Sequence, residues 1–240
     1  MAYFTWLVTG TNRGLGLTIV RYLLQNPSNV VLAACRTPQS ASCLHDLGAA
    51  SAGKLNIMQL DVADPKSIDE SVESAKAVIA EHGLDYLINN AGVGSRTENM
   101  FDTPTAEWRD WLASVLHINA IGPALITKTY LPFLEREGRR GVVLNISSRW
   151  SSFAGNGGAV APAYSMSKAA LNMLTFKQAQ ERPNLTFCAI SPGWVQTEMG
   201  GPDALISADE SALSLIKFAV NARKEHSGKL FNFNGTPMGW

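Results

Sequence analysis

The feature that most constrains this chain is a regular alternation of two patterns. Short, predominantly apolar runs recur along it: "YFTWLV" (3–8), "NVVLAAC" (29–35), "LNIMQL" (55–60), "LDYLIN" (84–89), "GVVLNIS" (141–147), "LTFCAIS" (185–191) and "GKLFNF" (228–233). Between them lie stretches of helical spacing near 15–26, 65–82, 105–136, 164–181 and 209–222, with a weaker one near 39–50. Continuously apolar strands are buried on both faces, and strands separated by helices pair in parallel. The pattern predicts an α/β fold, a doubly wound parallel sheet with helices on both faces. No linker, repeat or low-complexity stretch divides residues 1–240, so one domain is expected. Asp64 before Pro65 and Thr103 before Pro104 mark two helix starts.

Composition narrows the function classes. A hydrophobic content of 46% is enough for a large core, and a formal net charge of zero leaves no footprint for nucleic acid or a membrane surface. The basic cluster "REGRR" (136–140) reads as a solvated helix end. Cys35, Cys43 and Cys188 lack metal-ligand spacing, so no metal is expected. Cys35 and Cys188 sit in strand runs, which suits buried free thiols in a reducing compartment. The opening "MAYFTWLVTG" has no basic region and too short an apolar run for a signal peptide or span, which makes a cytoplasmic location the expectation.

In a doubly wound sheet, ligands bind beyond the carboxyl ends of the strands. The first strand runs into "TGTNRGLG", supplying Gly10, Thr11, Asn12, Arg13, Gly14, Leu15 and Gly16. Glycines there allow a tight turn and close approach to a pyrophosphate, which the following helix N-terminus would hold. The spacing differs from the common G-x-G-x-x-G, and a purely structural turn is the alternative. After the second strand stand Arg36 and Thr37, where an NAD site usually places a carboxylate; the nearest acid downstream is Asp46. A guanidinium suits a 2′-phosphate, and Arg13 offers a second cation, so NADP(H) is expected in preference to NAD(H). Asp61 and Val62 follow the third strand, on the adenine side, and Asn90, Ala91 and Gly92 follow the fourth, where small residues let a cofactor pass close to backbone.

In "AYSMSK" (163–168), Tyr164 and Lys168 are four residues apart and share a helix face. The bland reading of Y-x-x-x-K is a surface helix. A free phenol, with pKa about 10, is a poor acid at neutral pH, and a neighbouring ammonium lowers that value by about 1–3 units. The pairing reads as a device for tuning an acid.

Taken together in order, the glycine turn, "LDV", "NNAG", a serine after the fifth strand, Y-x-x-x-K and "PGW" after the sixth resemble the short-chain dehydrogenase/reductase family over nearly the whole chain. The segment "SPGWVQTEMGG" (191–201), the sixteen-residue step from Ser148 to Tyr164, and the ending "GKLFNFNGTPMGW" resemble its C-factor/sniffer-type carbonyl reductase branch. The resemblance implies a Rossmann-type seven-stranded sheet in the order 3-2-1-4-5-6-7. It implies an NADPH-dependent oxidoreductase moving hydride between nicotinamide and a ketone, aldehyde or secondary alcohol, and a homodimer or homotetramer. Tyr164 resembles the family's acid/base, and Lys168 the lysine that binds the nicotinamide ribose. Ser148 resembles the serine that holds the substrate oxygen, with Ser147 the other register, and Asn119 the asparagine of a proton relay. Pro192, Gly193, Val195 and Thr197 fall at cofactor positions, and Trp150 and Trp194 on the substrate side. One departure is "RWSS" after the serine pair: Arg149 and Trp150 either line the substrate pocket or pack outside it. A dinucleotide-binding relative with a non-redox role, as isomerase or sensor, is the competing reading.

Overall fold

The strands and helices alternate as the patterning predicts. The computed structural model describes residues 3–94, 99–155 and 157–240. Its strands are β1 (Phe4–Thr9), β2 (Asn29–Cys35), β3 (Lys54–Gln59), β4 (Tyr86–Asn89), β5 (Val142–Ile146), β6 (Thr186–Ser191), β7 (Lys229–Asn232) and β8 (Pro237–Met238). The helices are α1 (Gly14–Leu23), α2 (Ser42–Ala50), α3 (Pro65–His82), α4 (Thr105–Leu116), α5 (Gly122–Leu134), α6 (Pro162–Glu181) and α7 (Ala208–Asn221). The sheet order is β3-β2-β1-β4-β5-β6-β7-β8, with the first seven parallel as expected.

β8 is an addition to the expected seven. It pairs antiparallel with β7 through Leu230–Met238 and Phe231–Pro237. Two residues including a proline carry no strand periodicity. The pairing comes from the turn before it, where Asn232 N–H donates to the Thr236 carbonyl at 2.9 Å and Gly235 takes φ +85°.

Side chains alternate across the sheet and feed two cores. Trp6, Val8, Val31, Leu144 and Ile190 pack with Ile19, Leu23 and Leu215 of α1 and α7 on one face. Leu7, Leu32, Leu87, Val143 and Phe187 pack with Ile79, Ile126 and Tyr130 of α3 and α5 on the other. Every residue of β2, β5 and β6 is buried, which is why those runs are mostly apolar, with Asn29, Asn145, Thr186 and Ser191 the buried polar exceptions. At α3, Asp64 caps the Lys66 N–H at 3.0 Å with Pro65 opening the helix, as predicted. At α4 the cap is Pro104, while Thr103 donates back to the Asn99 carbonyl.

The helix expected over 105–136 is broken. Between α4 and α5, His117–Ile121 form a π turn, in which Gly122 N–H reaches the His117 carbonyl. Pro123 has no N–H to return to residue 119, which disfavours the ordinary ladder there. Gly122 lets the turn press on the loop after β3: an added Cβ would stand 2.5 Å from the Val62 carbonyl oxygen. The turn carries Asn119 into the interior, where it is fully buried. Among the described residues no helix is long and apolar enough to cross a membrane.

Candidate active site

The glycine turn hangs from the end of β2. Gly10 N–H and Thr11 N–H both donate to the Ala34 carbonyl, at 2.9 and 3.2 Å, and Thr11 Oγ1 adds a third bond at 3.1 Å. An added Cβ at Gly10, which has φ +70°, would meet Ala91 Cα at 2.9 Å; one at Gly16 would meet the Gly10 carbonyl oxygen at 2.2 Å. Both positions require glycine for close approach. Asn90 stitches the β4 turn to this one, its Nδ2 donating to the Thr9 carbonyl at 2.9 Å and the Gly10 carbonyl at 3.2 Å. Thr9 Oγ1 accepts from both Asn90 N–H and Ala91 N–H at 3.0 Å. The side chains of Thr11, Asn90 and the core-packed Leu15 therefore serve the scaffold. Asn12 and Arg13 are exposed. α1 begins at Gly14 with no side-chain cap and no acid in its first turn, so its terminal N–H groups are open to an anion.

The adenine side is less occupied. Arg36 and Thr37 are exposed at the end of β2, and Arg36 makes no ion pair among the described residues. Asp61 accepts from Ala63 N–H at 3.0 Å, and Val62 is buried beneath Gly122.

Tyr164 and Lys168 occupy one face of α6, as their spacing predicts. Lys168 is 3% exposed; its Nζ donates to the Ile146 carbonyl at 2.7 Å and stands 5.6 Å from the centre of the Tyr164 ring. Ser148, just past β5, hydrogen-bonds the Tyr164 hydroxyl and accepts from Trp150 N–H at 3.2 Å. Ser147 points the other way and donates to Asn172 Oδ1 at 2.6 Å, so of the two registers it is Ser148 that meets Tyr164. Asn119 grips Val93 twice, accepting from its N–H at 2.9 Å and donating to its carbonyl at 2.8 Å, and also donates to Ser167 Oγ at 2.9 Å. The 92–94 segment is thereby laid across the site. A Cβ on Gly92 would come 3.1 Å from Asn119 Oδ1 and 3.5 Å from Lys168 Nζ; one on Gly94 would strike the Tyr164 ring at 2.5 Å.

Burial dominates the electrostatics. Tyr164 is half-buried as a residue, yet burial of its hydroxyl pushes the phenol up to about 12, with the Ser148 hydrogen bond pulling the other way. Lys168 is brought down to about 8 by the same desolvation. The lowered phenol expected from the Tyr–Lys pairing is not what the protein groups alone produce, because desolvation outweighs the Ser148 hydrogen bond, the one group that pulls it down.

The two bulky residues after Ser148 part company. The indole of Trp150 stands edge-on to Tyr164, with ring centroids 6.1 Å apart and planes at 90°. Arg149 is exposed; its N–H donates to Ser191 Oγ at 3.0 Å and its guanidinium turns to the Gly155 carbonyl. Beyond β6, Ser211 Oγ holds the Pro192 carbonyl at 2.8 Å and Gly193 takes φ +84°. The loop then closes on itself through a Val195–Ile206 bridge, with Trp194 Nε1 donating to the Gly200 carbonyl at 2.7 Å. Thr197 lies against the glycine turn, 3.5 Å from where a Gly14 Cβ would be. A cavity of about 240 Å³ lies toward the amino ends of the central strands, among Trp6, Tyr86 and Arg140; the groups able to do chemistry converge at the carboxyl ends instead.

The sequence reading missed Asn172, whose amide also donates to Ser151 Oγ at 2.7 Å and so ties the β5 loop to α6. A signal was present: Asn172 falls four residues after Lys168 and eight after Tyr164, on the same face.

A family model described as short chain dehydrogenase matches residues 5–204. The C-signal protein of Myxococcus xanthus is 40% identical over 159 residues, covering 65% of this chain and 93% of that protein. Among solved structures, an NADPH-bound carbonyl reductase from chicken fatty liver superposes with a TM-score of 0.88 at 35% identity, and the carbonyl reductase Sniffer of D. melanogaster with 0.90 at 28%; both cover 100% of each chain.

Proposed function

This chain belongs to the short-chain dehydrogenase family, and we propose that it is an NADPH-dependent carbonyl reductase with Tyr164 as the acid. One observation carries the reading. The Ser148 hydroxyl, the Tyr164 phenol and the Lys168 ammonium converge beneath the backbone of Gly92 and Gly94, which lies so close that a side chain would press on Asn119 or strike the Tyr164 ring.

The residues fit a dinucleotide. The free N-terminus of α1 would take the pyrophosphate, and Arg36, with Arg13, the 2′-phosphate. Lys168 would take the nicotinamide ribose, and Thr197 the carboxamide side. When bound, NADPH supplies the hydride that the protein lacks. The chain's own work is on the oxygen. Ser148 and Tyr164 hydrogen-bond the substrate carbonyl as negative charge develops there, and Tyr164 gives its proton to that oxygen to complete the alcohol. A phenol held near 12 is protonated at neutral pH, which suits the donor of the reducing direction. Lys168, with its Nζ 5.6 Å from the centre of the Tyr164 ring, is the cation that would offset the charge of the phenolate left behind. The buried Asn119 keeps Val93 and Gly92 in register with Lys168. Self-association as a homodimer or homotetramer belongs to this reading. Met166 and Met173, two turns apart on α6, are exposed on one stripe that a second copy would cover.

The test is NADPH consumption across a panel of ketones and aldehydes. Turnover of at least one class, faster than with NADH, supports the reading; no turnover of any carbonyl removes it. A dinucleotide-binding signalling role takes its support from the name of the Myxococcus xanthus relative, but a pure sensor has no use for an acid, its hydrogen-bonded serine and its ammonium held together.

A further inference from the structure

The chain leaving β8 meets the loop leaving β5, although β6 and β7 stand between those strands in the sheet. Ser152, 4% exposed, donates through Oγ to the Gly239 carbonyl at 2.6 Å. Ala154 N–H donates to the Trp240 carbonyl at 3.4 Å. A Cβ on Gly239 would stand only 3.1 Å from that of Ala154. On its inner side the same loop is held by Asn172 of α6, through Ser147 and Ser151. Between these two anchorages lies the single 3-10 turn Arg149–Ser151, which carries Trp150. Phe153, at the tip, is 95% exposed, so the loop is not fastened by burying its own apolar residue.

We propose that the Pro237–Trp240 segment is a strap that positions the substrate loop, holding Trp150 edge-on to Tyr164 and so setting which carbonyl compounds reach the phenol. The argument is mechanical. Three residues between Ser148 and Ser152 leave no slack to absorb a shift at Ser152, so a displaced strap moves the indole. Trp150 offers an apolar edge beside the acid, which selects carbonyls carrying an aryl or bulky alkyl group. Ser152, Gly239 and Trp240 are positioning residues, acting on Tyr164 through the turn that carries Trp150. The substrate part of the proposal rests on the carbonyl-reducing function proposed above.

Two perturbations and one repair test it. Ser152→Ala removes the bond to Gly239, together with the one that Ser152 Oγ accepts from Gly155 N–H at 3.0 Å, and Gly239→Ala presses a methyl on Ala154. Ala154→Gly added to Gly239→Ala restores the lost room. The first readout is amide hydrogen exchange of residues 149–154, independent of activity and leaving out Gly155, whose bond to Ser152 is internal to the loop: it should speed up by about fivefold in each single variant. The second is the KM ratio for acetophenone against propanal at saturating NADPH. That ratio should shift by about three- to tenfold while kcat for propanal and KM for NADPH stay within about twofold. The Gly239→Ala/Ala154→Gly double variant should recover both readouts. Unchanged exchange, faster exchange with an unchanged KM ratio, or no recovery in the double variant would each overturn the strap. Should the unaltered protein reduce no carbonyl at all, the proposed function falls, and exchange with its repair still decides whether the strap exists.

Discussion

Arg13 and Glu198 lie 185 residues apart in the chain and meet at 2.7 Å, joining the glycine turn to the loop after β6. Both side chains are largely exposed, at 67% and 76%. Arg13 is one of the two cations proposed for the cofactor's 2′-phosphate, so Glu198 competes with that phosphate for it. An exposed pair is worth about 0–1 kcal/mol, which bounds the competition at about fivefold. Glu198→Gln should tighten NADPH binding by up to that factor and leave NADH nearly unchanged, as read by fluorescence titration. Equal NADPH affinity in variant and parent would show that the pair does not compete.

Arg36 is the other proposed phosphate reader. A charge-assisted hydrogen bond contributes about 1.5–3 kcal/mol, or roughly 10- to 150-fold in affinity. Arg36→Asp should lower the ratio of NADPH to NADH kcat/KM by at least about tenfold, with the new carboxylate repelling the phosphate and accepting from a ribose hydroxyl. An unaltered ratio in parallel assays would place cofactor choice elsewhere.

Lys168 sets function against stability. Its folded pKa, about 8, lies below the ordinary value of 10.5 because burial disfavours the ammonium. A cation with a depressed folded pKa costs stability in full below pH 8, and the cost fades as pH rises from 8 to 10.5. The shift corresponds to about 3 kcal/mol, reduced by the bond to Ile146 that a substitution forfeits. Lys168→Met should therefore raise stability at pH 7 by about 1–3 kcal/mol, with the gain vanishing near pH 10.5, while carbonyl reduction is lost. Denaturant titrations across that pH range read it. A variant less stable than the parent at pH 7 would show that the ammonium is better satisfied than its burial implies.

The three thiols should separate cleanly. Cys43 is exposed, whereas Cys35 and Cys188 are buried, with desolvation raising Cys35 and pushing Cys188 up to about 12. In the folded protein at pH 8 a maleimide should label Cys43 alone, and all three should label in denaturant. Mass spectrometry that finds Cys188 modified in the native state would contradict the packing of β6.

What the sequence revealed, and what it withheld, follows from the range of each interaction. β2 was legible because full burial on both faces writes the unbroken apolar run Val30–Cys35 after Asn29. Tyr164 and Lys168 were legible because a helix brings four-residue neighbours together whatever surrounds it. The π turn at His117–Ile121 was not, since its cause is Pro123 together with a tight contact at Gly122 that only the folded chain supplies. The opposite fates of Arg149 and Trp150 depend on Ser191, Gly155 and Tyr164, all brought in by other parts of the fold. The phenol's pKa was misjudged for a related reason: spacing reports the nearby ammonium but not the burial of the hydroxyl. Glu198 and the Gly239–Ser152 contact bridge long separations that no local pattern encodes.

Tyr164→Phe asks the central question most directly, because it deletes one oxygen and keeps the ring that packs against Trp150 and Gly94. Measured as kcat for NADPH-dependent carbonyl reduction beside the NADPH dissociation constant, the account predicts a loss of at least about 100-fold in kcat with cofactor affinity within about twofold of the parent. A variant that keeps more than a tenth of the parent's rate would show that the proton comes from another group.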